Sequence, residues 1–158
     1  MTDERDSGSR RWPDLAGHII DDECGRRHVL PVRVYFEDTD FSGVVYHASY
    51  VRWCERGRSD FLRLLGISHK ALIDRADAPP AAFVVRRLAI EFLKPARIDD
   101  ELEIVTRVGE TTAATLELVQ SVHRDGVALA EAKVLVLVVT TAGRPIRLPT
   151  AIRAAFGG

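Results

Sequence analysis

The chain has 158 residues and a formal net charge of -1, with 22 Lys and Arg against 23 Asp and Glu. This length fits one domain around a single core. Hydrophobic residues make up 46% and charged residues 28%, a balance typical of globular proteins and unlike that of disordered, collagen-like or membrane chains. The near-neutral charge also argues against a protein that coats nucleic acid, because such a protein carries an excess of clustered basic side chains.

The N-terminal region is rich in charged and small residues and lacks a sustained period. We therefore expect a mobile leader over residues 1–27 and a folded domain over residues 28–158. Trp12, Ile19 and Ile20 are apolar exceptions in the leader, which could dock on the domain or on a partner. No apolar signal region follows the start, and the longest aliphatic run is too short for a transmembrane segment.

The two cysteines, Cys24 and Cys54, lie far apart and form no metal-binding or disulfide framework. The five histidines show no paired-ligand spacing, so we expect no metal. Nucleotide-binding glycine loops and the serine-hydrolase elbow are also absent from the sequence. These features predict a cytoplasmic protein that works without a cofactor.

The first half of the domain reads as a strand, a loop and a helix. Alternating apolar residues predict a strand over residues 28–36. Apolar residues then recur every three and four positions, which predicts a helix that begins at Tyr46 or Ser49 and ends near Leu65. Gly57 lies on the apolar stripe, where glycine lowers helix stability by about 1 kcal/mol relative to alanine. We therefore expect a neighbouring strand to approach the helix closely at this position.

The second half reads as four strands and a short helix. The strands are expected at residues 83–93, 101–108, 114–122 and 127–140, and the helix at residues 149–156. Asp125-Gly126 predicts a type I′ hairpin turn, because both central residues of that turn need a positive φ. The sequence therefore predicts an α+β fold: one curved antiparallel sheet of about five strands wrapped around one long helix.

The last strand is apolar at every position over residues 134–139, so both of its faces should be covered. One helix cannot cover both faces of a sheet. We therefore expect another subunit on the second face, in a dimer that pairs again into a tetramer.

A cluster of acids between the first strand and the helix is the strongest chemical signal. Glu37, Asp38 and Asp40 fall within four positions, and a glycine and His47 follow before the helix. Neighbouring carboxylates repel each other, so this cluster is not explained by a contribution to stability. A helix N-terminus presents unpaired N–H groups and a partial positive charge. An acid beside such an oxyanion pocket can perform acyl transfer.

Three sequence blocks carry a specific resemblance. They are EDTDFSGVVYHASY with WCERGR after it, VVRRLAIEFLKPARIDDELEI, and GRPIRLP near the end. Together they resemble the hotdog-fold acyl-CoA thioesterases of the 4-hydroxybenzoyl-CoA thioesterase family, in the Tol-Pal system-associated subgroup, over residues 29 to about 156. The resemblance implies a hotdog fold, paired protomers and an acyl-CoA substrate, with acyl carrier protein and envelope-associated proteins as further candidate partners.

The resemblance also implies roles for individual residues. The family's catalytic acid falls on Asp40, as nucleophile or general base, and its oxyanion position falls on the backbone N–H of His47. The pocket residues are then Phe41, Gly43, Val44, Tyr46 and Tyr50. Phe41 replaces a smaller residue, and a bulky group beside the acid could alter acyl-chain choice.

Other charged residues have two interpretations. Arg86, Arg87, Lys94 and Arg97 either bind the phosphates of CoA or are surface charge. Asp38 should bond loop amides. Glu55 and Arg58 should form a solvated helix face. The competing functions are a hotdog hydratase or dehydratase, disfavoured by the position of the acid, and a non-enzymatic acyl-CoA sensor or envelope-division scaffold.

Overall fold

The structure, a computed structural model, describes residues 17–156. Three α-helices, one 3₁₀ helix (Phe36–Asp38) and seven strands are present in these residues. In chain order the α-helices and strands are β1 (His18–Asp22), β2 (Gly25–Arg33), α1 (His47–Leu64), α2 (His69–Ile73), β3 (Ala81–Phe92), β4 (Glu101–Thr111), β5 (Thr115–Arg124), β6 (Val127–Thr140), β7 (Pro145–Ile146) and α3 (Thr150–Ala155). The predicted α+β layout is confirmed, but the sheet has seven strands rather than about five.

The strands form one antiparallel sheet in the order β1-β2-β4-β5-β6-β3, with the short β7 also paired to β6. Helix α1 contacts β2, β4 and β5, and its buried face supplies the centre of the core. The predicted hairpin turn between β5 and β6 is present, with φ of 51 at Asp125 and 78 at Gly126. Within residues 17–156, no helix is both long enough and apolar enough to cross a membrane.

The close approach expected at Gly57 is confirmed. A Cβ atom on Gly57 would lie 3.0 Å from Cγ2 of Ile104 and 3.3 Å from Oγ1 of Thr106. Beside it, the buried Gln120 donates from Nε2 to the Cys54 carbonyl at 2.8 Å and to the Thr106 hydroxyl at 2.9 Å. The absence of a side chain at Gly57 thus lets α1 sit directly on the sheet.

The sheet begins earlier than the sequence indicated. Strand β1 pairs with β2 in a register that joins His18 to Val29, so the expected boundary at residue 28 falls inside a strand. Ile19 is half-buried and Ile20 is exposed, while Trp12 lies outside the described residues. The strand β1 is mostly exposed on both faces, and this is why no apolar alternation revealed it.

A buried polar contact joins β2 to the second half of α1. His28 is fully buried and its Nε2 lies 2.7 Å from Oδ2 of Asp60, which also accepts the backbone N–H of Gly17 at 2.8 Å. The His28 ring stacks on Phe61, and its Nδ1 is buried without a partner in the described residues. Burial lowers the pKa of His28, and the nearby Asp60 carboxylate only partly offsets this.

Strand β6 is largely buried within the single chain, and a second subunit on its other face, where Leu135 and Val139 are half-buried, stays a prediction. Val134, Val136, Leu137 and Val138 are all buried within the single chain. The reason is that Val134, Val136 and Val138 lie in one core cluster with side chains of the three helices, among them Leu62, Leu72 and Ile152. The apolar side chains that stay exposed belong instead to the neighbouring β3 and the residue after it: Val84, Val85, Leu88, Phe92 and Leu93.

Candidate active site

The loop between β2 and α1 is fixed at its start by backbone and carboxylate hydrogen bonds. Val34 is fully buried, and its N–H donates to the Asp100 carbonyl at 2.9 Å. Asp38 is also buried; its carboxylate accepts the Tyr35 N–H at 2.9 Å, and its carbonyl accepts the Tyr46 N–H at 2.8 Å. Asp38 therefore bonds loop amides as predicted and holds the two ends of the loop together.

Asp40 lies at a tight turn within this loop. Its N–H donates to the Val44 carbonyl and its own carbonyl accepts the Gly43 N–H, both at 3.0 Å, with φ of 82 at Gly43. A glycine suits this left-handed position because it has no Cβ atom. The turn brings residues on either side of Gly43 close together and leaves the Asp40 side chain exposed.

The Asp40 carboxylate is ionised and has one oxygen available. Oδ1 accepts hydrogen bonds from the hydroxyl and from the backbone N–H of Ser42. The hydroxyl contributes most, and both bonds lower the pKa of Asp40. Oδ2 has no hydrogen-bond partner within residues 17–156. Asp40 can therefore act as a nucleophile or as a base at neutral pH.

Helix α1 starts at His47 without a side-chain cap. Tyr46 occupies the N-cap position, and the first turn contains no acidic residue. The N–H of Val45 is bonded to the Ala96 carbonyl at 2.9 Å, whereas the N–H of His47 has no acceptor in the described part of the chain. An open N–H at the positive end of an 18-residue helix can stabilise a negative oxygen.

A surface cavity adjoins this helix start. It is lined by Val45, His47, Tyr50, Phe92, Leu93, Lys94 and Pro95. Tyr50 is buried, and its hydroxyl accepts the Ala96 N–H at 3.0 Å while its ring contacts Trp53 and Phe92 edge to face. Burial raises the pKa of the Tyr50 hydroxyl. Tyr50 therefore contributes to the core and to the cavity wall.

Asp40 and His47 open onto two different hollows of the single chain. The Asp40 hollow is lined by Phe36, Thr39, Asp40, Phe41, Gly43 and Ile98 and has a volume of about 470 Å³. Phe41 is fully exposed at its rim, Tyr46 is half exposed, and Val44 forms a backbone bridge to Arg97. The structure thus brings the predicted residues onto one loop but not into one closed pocket.

The four basic residues considered for CoA are spread along β3 and the segment after it. Arg86 lies at a bulge in β3, and Arg87 pairs with Leu135 near the middle of this strand, which is at one edge of the sheet. Lys94 lines the His47 cavity beyond the end of the strand. With about 3.3 Å per residue, Arg87 and Lys94 are more than about 20 Å apart. All four side chains are exposed, but they form no single cluster in one chain.

Sequence reasoning missed a polar cluster in the second half of α1. Ser59 donates from its hydroxyl to Oε1 of Glu55 at 2.7 Å and lies 3.2 Å from Nε2 of His69 in α2. The i, i+4 spacing of Glu55 and Ser59 was visible in the sequence, but α2 was not predicted. Arg58 is not the solvated residue expected, because burial lowers its pKa and it reaches Gln120 inside the fold.

The comparisons with known proteins agree with this fold. The thioesterase-like superfamily matches residues 34–156. Over 128 residues the chain is 45% identical to the acyl-CoA thioester hydrolase YbgC of Escherichia coli O6:H1 and 40% identical to the acyl-CoA thioesterase YbgC of Haemophilus influenzae, covering 80% of this chain and 92% of each relative. A solved structure of a probable thioesterase from Bartonella henselae matches with a TM-score of 0.75 and 41% identity, covering 78% of this chain and 99% of that chain. The chain therefore belongs to the thioesterase-like superfamily and is a thioester hydrolase.

Proposed function

We propose that the protein hydrolyses an acyl-CoA thioester to a free carboxylate and CoA. The observation that carries this proposal is the pairing, on one loop, of an ionised Asp40 with a free oxygen and a helix start at His47 with a free N–H. The similarity to acyl-CoA thioester hydrolases supports the choice of substrate. Asp40 attacks or activates water, and the His47 N–H holds the oxyanion.

Two routes fit Asp40. In the first, an Asp40 oxygen bonds to the thioester carbonyl carbon, the C–S bond breaks and the CoA thiolate departs. The acyl group and Asp40 are then joined in a mixed anhydride, which water hydrolyses. In the second, Asp40 removes a proton from water, which attacks the same carbon directly. Both routes place negative charge on the carbonyl oxygen, where the N–H of His47 stabilises it.

Exposed side chains around the loop are candidates for holding the substrate. Phe41 and Tyr46 present apolar surface, and Lys94 lies in the His47 cavity where it could reach a CoA phosphate. Gly43, Val44 and Tyr50 shape the loop and the wall behind it. CoA is part of the substrate, so the proposal requires no separate cofactor.

A thiol-release assay across acyl-CoA chain lengths tests the function. We expect release of one CoA thiol for each acyl group hydrolysed, and no release from any acyl-CoA would contradict the proposal. In single turnover in oxygen-18 water, label in the Asp40 carboxylate identifies the anhydride route, because it enters when water attacks the Asp40 carbonyl carbon of the anhydride, whereas direct attack of water on the thioester leaves Asp40 unlabelled. A pure acyl-CoA sensor would bind these compounds without releasing thiol.

We further propose that the protein works as a homo-oligomer in the cytoplasm. The exposed apolar side chains of β3 support pairing, since such a surface marks interfaces. Light scattering should give at least a dimer, and a monomer at all concentrations would contradict this. Association with acyl carrier protein or with envelope proteins, which the Tol-Pal subgroup resemblance implies, is a separate proposal that co-purification tests.

A further inference from the structure

Residues 93–100 connect β3 to β4 and contact the loop that carries Asp40. We call them the 93–100 segment. The Ala96 carbonyl accepts the N–H of Val45, which lies two positions before α1 begins, at 2.9 Å. Val44 forms an isolated backbone bridge to the same segment, and its carbonyl accepts the Asp40 N–H at 3.0 Å. The segment therefore supports both parts of the candidate site, the Asp40 turn and the start of α1.

The 93–100 segment has little apolar packing of its own. Ala96 is its one buried residue, and the others are exposed or half-buried. Alanine buries little apolar area, so hydrophobic contact contributes little to holding the segment. At the start of the segment, the N–H groups of Leu93 and Lys94 both donate to the Leu129 carbonyl of β6, at 2.8 Å and 3.1 Å. Further polar contacts must hold the remainder.

Arg124, at the end of β5, makes two of these contacts. Its Nη1 donates to Oδ2 of Asp100 at 2.6 Å and to the Pro95 carbonyl at 3.4 Å. The same oxygen of Asp100 accepts the Arg97 N–H at 2.9 Å. Burial raises the pKa of Asp100, but the hydrogen bonds from Arg97 and Arg124 outweigh it and lower the pKa below its ordinary value. A charged carboxylate and one guanidinium thus tie the two ends of the segment together.

Helix α1 holds the middle of the same segment. The Tyr50 hydroxyl accepts the Ala96 N–H at 3.0 Å, while the Ala96 carbonyl accepts the Val45 N–H. Burial is the main cause of the raised pKa of Tyr50, and Arg124 and Asp100 lie close enough to act on it in opposite directions. The contacts of Arg124, Asp100 and Tyr50 therefore form one network around Ala96.

A contribution to stability does not explain the ion pair in this network. The side chains of Arg124 and Asp100 are 34% and 23% exposed, and ion pairs open to water add little to stability. We propose that Arg124 and Asp100 are positioning residues, which hold the 93–100 segment so that the Asp40 turn and the start of α1 keep the spacing that reaction at one thioester requires. This inference rests on the proposed thioesterase function and adds two residues that act on its site from outside the Asp40 loop.

Substitution of Arg124 tests the positioning role. Arg124→Ala should lower kcat about 10- to 100-fold with little change in KM, because a small displacement misaligns the reacting groups while the substrate contacts remain. Arg124→Lys should restore most of kcat, since a single nitrogen, Nη1, makes both contacts and an ammonium group can replace it. Arg26→Ala, which breaks an exposed pair with Asp21 between β1 and β2, is the matched control and should keep wild-type kcat.

A double variant tests whether the two residues act as one unit. Asp100→Ala should lower kcat on the same scale as Arg124→Ala, and the double variant should lose no more than Asp100→Ala alone. Losses that multiply would contradict a shared role. If the alanine variants do not fold, Asp100→Asn keeps the shape of the side chain, removes its charge and carries the same expectation for kcat.

Amide hydrogen exchange tests the position of the segment without an assay of activity. In Arg124→Ala the Val45 N–H should exchange faster than in the wild type, while amides in the middle of β5 keep their protection. Unchanged exchange at Val45, or a lower melting temperature with wild-type kcat, would overturn the positioning role. Absence of thiol release by the wild type would defeat the proposed function instead, and the exchange rates would still decide whether Arg124 holds the segment.

Discussion

The two halves of helix α1 are built for different purposes. The first turn has no cap, an exposed His47 and an open backbone N–H. The second half is fixed by the close approach at Gly57 and by the contact of His28 with Asp60. The difference teaches that the contacts along the body of the helix carry the stability, which lets its first turn keep the unsatisfied groups that a reaction needs. Substitutions should therefore separate activity from stability according to position.

The largest expected effect is at Asp40, in the loop before helix α1. Asp40→Asn keeps the shape of the side chain but removes its charge, so kcat should fall at least ~100-fold with acyl-CoA substrates. The melting temperature should stay unchanged, because Asp40 is exposed. Asp125→Asn, at an exposed hairpin turn, is the matched control and should leave both quantities intact. Near-wild-type turnover by Asp40→Asn with an unchanged melting curve would remove Asp40 from the mechanism.

At Gly57 we expect a loss of stability without a loss of activity. Gly57→Val adds a branched side chain where even a Cβ atom meets Ile104 at 3.0 Å, so the free energy of unfolding should fall by about 1–3 kcal/mol. Denaturant unfolding measures this, with the exposed Arg56→Val as control for the helix propensity of valine. The folded fraction should keep its kcat. A loss of kcat without loss of stability would contradict the division between the two halves.

The contact of His28 with Asp60 should also make stability depend on pH. Burial lowers the pKa of His28, and for Asp60 the hydrogen bonds from Arg63 and His28 outweigh burial and lower its pKa as well. A group with a lowered pKa in the folded state stabilises the fold above its unfolded pKa and loses that contribution as the pH falls. The His28 contribution should therefore lower the melting temperature from about pH 7 to pH 5, where histidine titrates in unfolded chains, whereas the Asp60 contribution is lost only below about pH 4.

His28→Phe checks the source of this pH dependence. Phenylalanine keeps the stacking on Phe61 but cannot be protonated, so the decrease over that pH range should become shallower. The melting temperature itself should drop at every pH, because Asp60 loses one hydrogen bond. An unchanged slope would assign the pH dependence to other groups.

The smallest effect is expected at Phe41, at the rim of the Asp40 hollow. Phe41 is fully exposed in the single chain, so Phe41→Ala should leave folding unchanged. If its ring contacts the acyl group, KM for long acyl chains should rise by less than about tenfold while short chains are unaffected. Equal changes for short and long chains would show that Phe41 does not select chain length.

The sequence predicted those elements whose pattern is set by local rules. The apolar periods of α1 and β6 gave their positions closely, and Gly57 and the Asp125-Gly126 turn behaved as their chemistry requires. Strand β1 was missed because it buries little, and α2 was missed because a single buried side chain, Leu72, anchors it. The exposed apolar surface of β3 was not predicted, since a sequence does not show which strand lies at an edge.

The same limit applies to the candidate site. Asp40 and His47 stand in one continuous motif, so their shared loop could be predicted. His69 comes from another helix, and its hydrogen bond to Ser59 depends on how α2 packs beside α1. Contacts of this kind arise from the tertiary fold and leave no local pattern in the sequence.

The pairing of β2 with β4 has a consequence for how the chain folds. Its register joins His28 to Thr106, so the whole of α1, α2 and β3 must be looped out between the two strands. The β4, β5 and β6 hairpins have short connections and can form first. Closure of β2 onto this meander then sets the pace, and we expect refolding in the range of milliseconds to seconds typical of sheets with distant pairings.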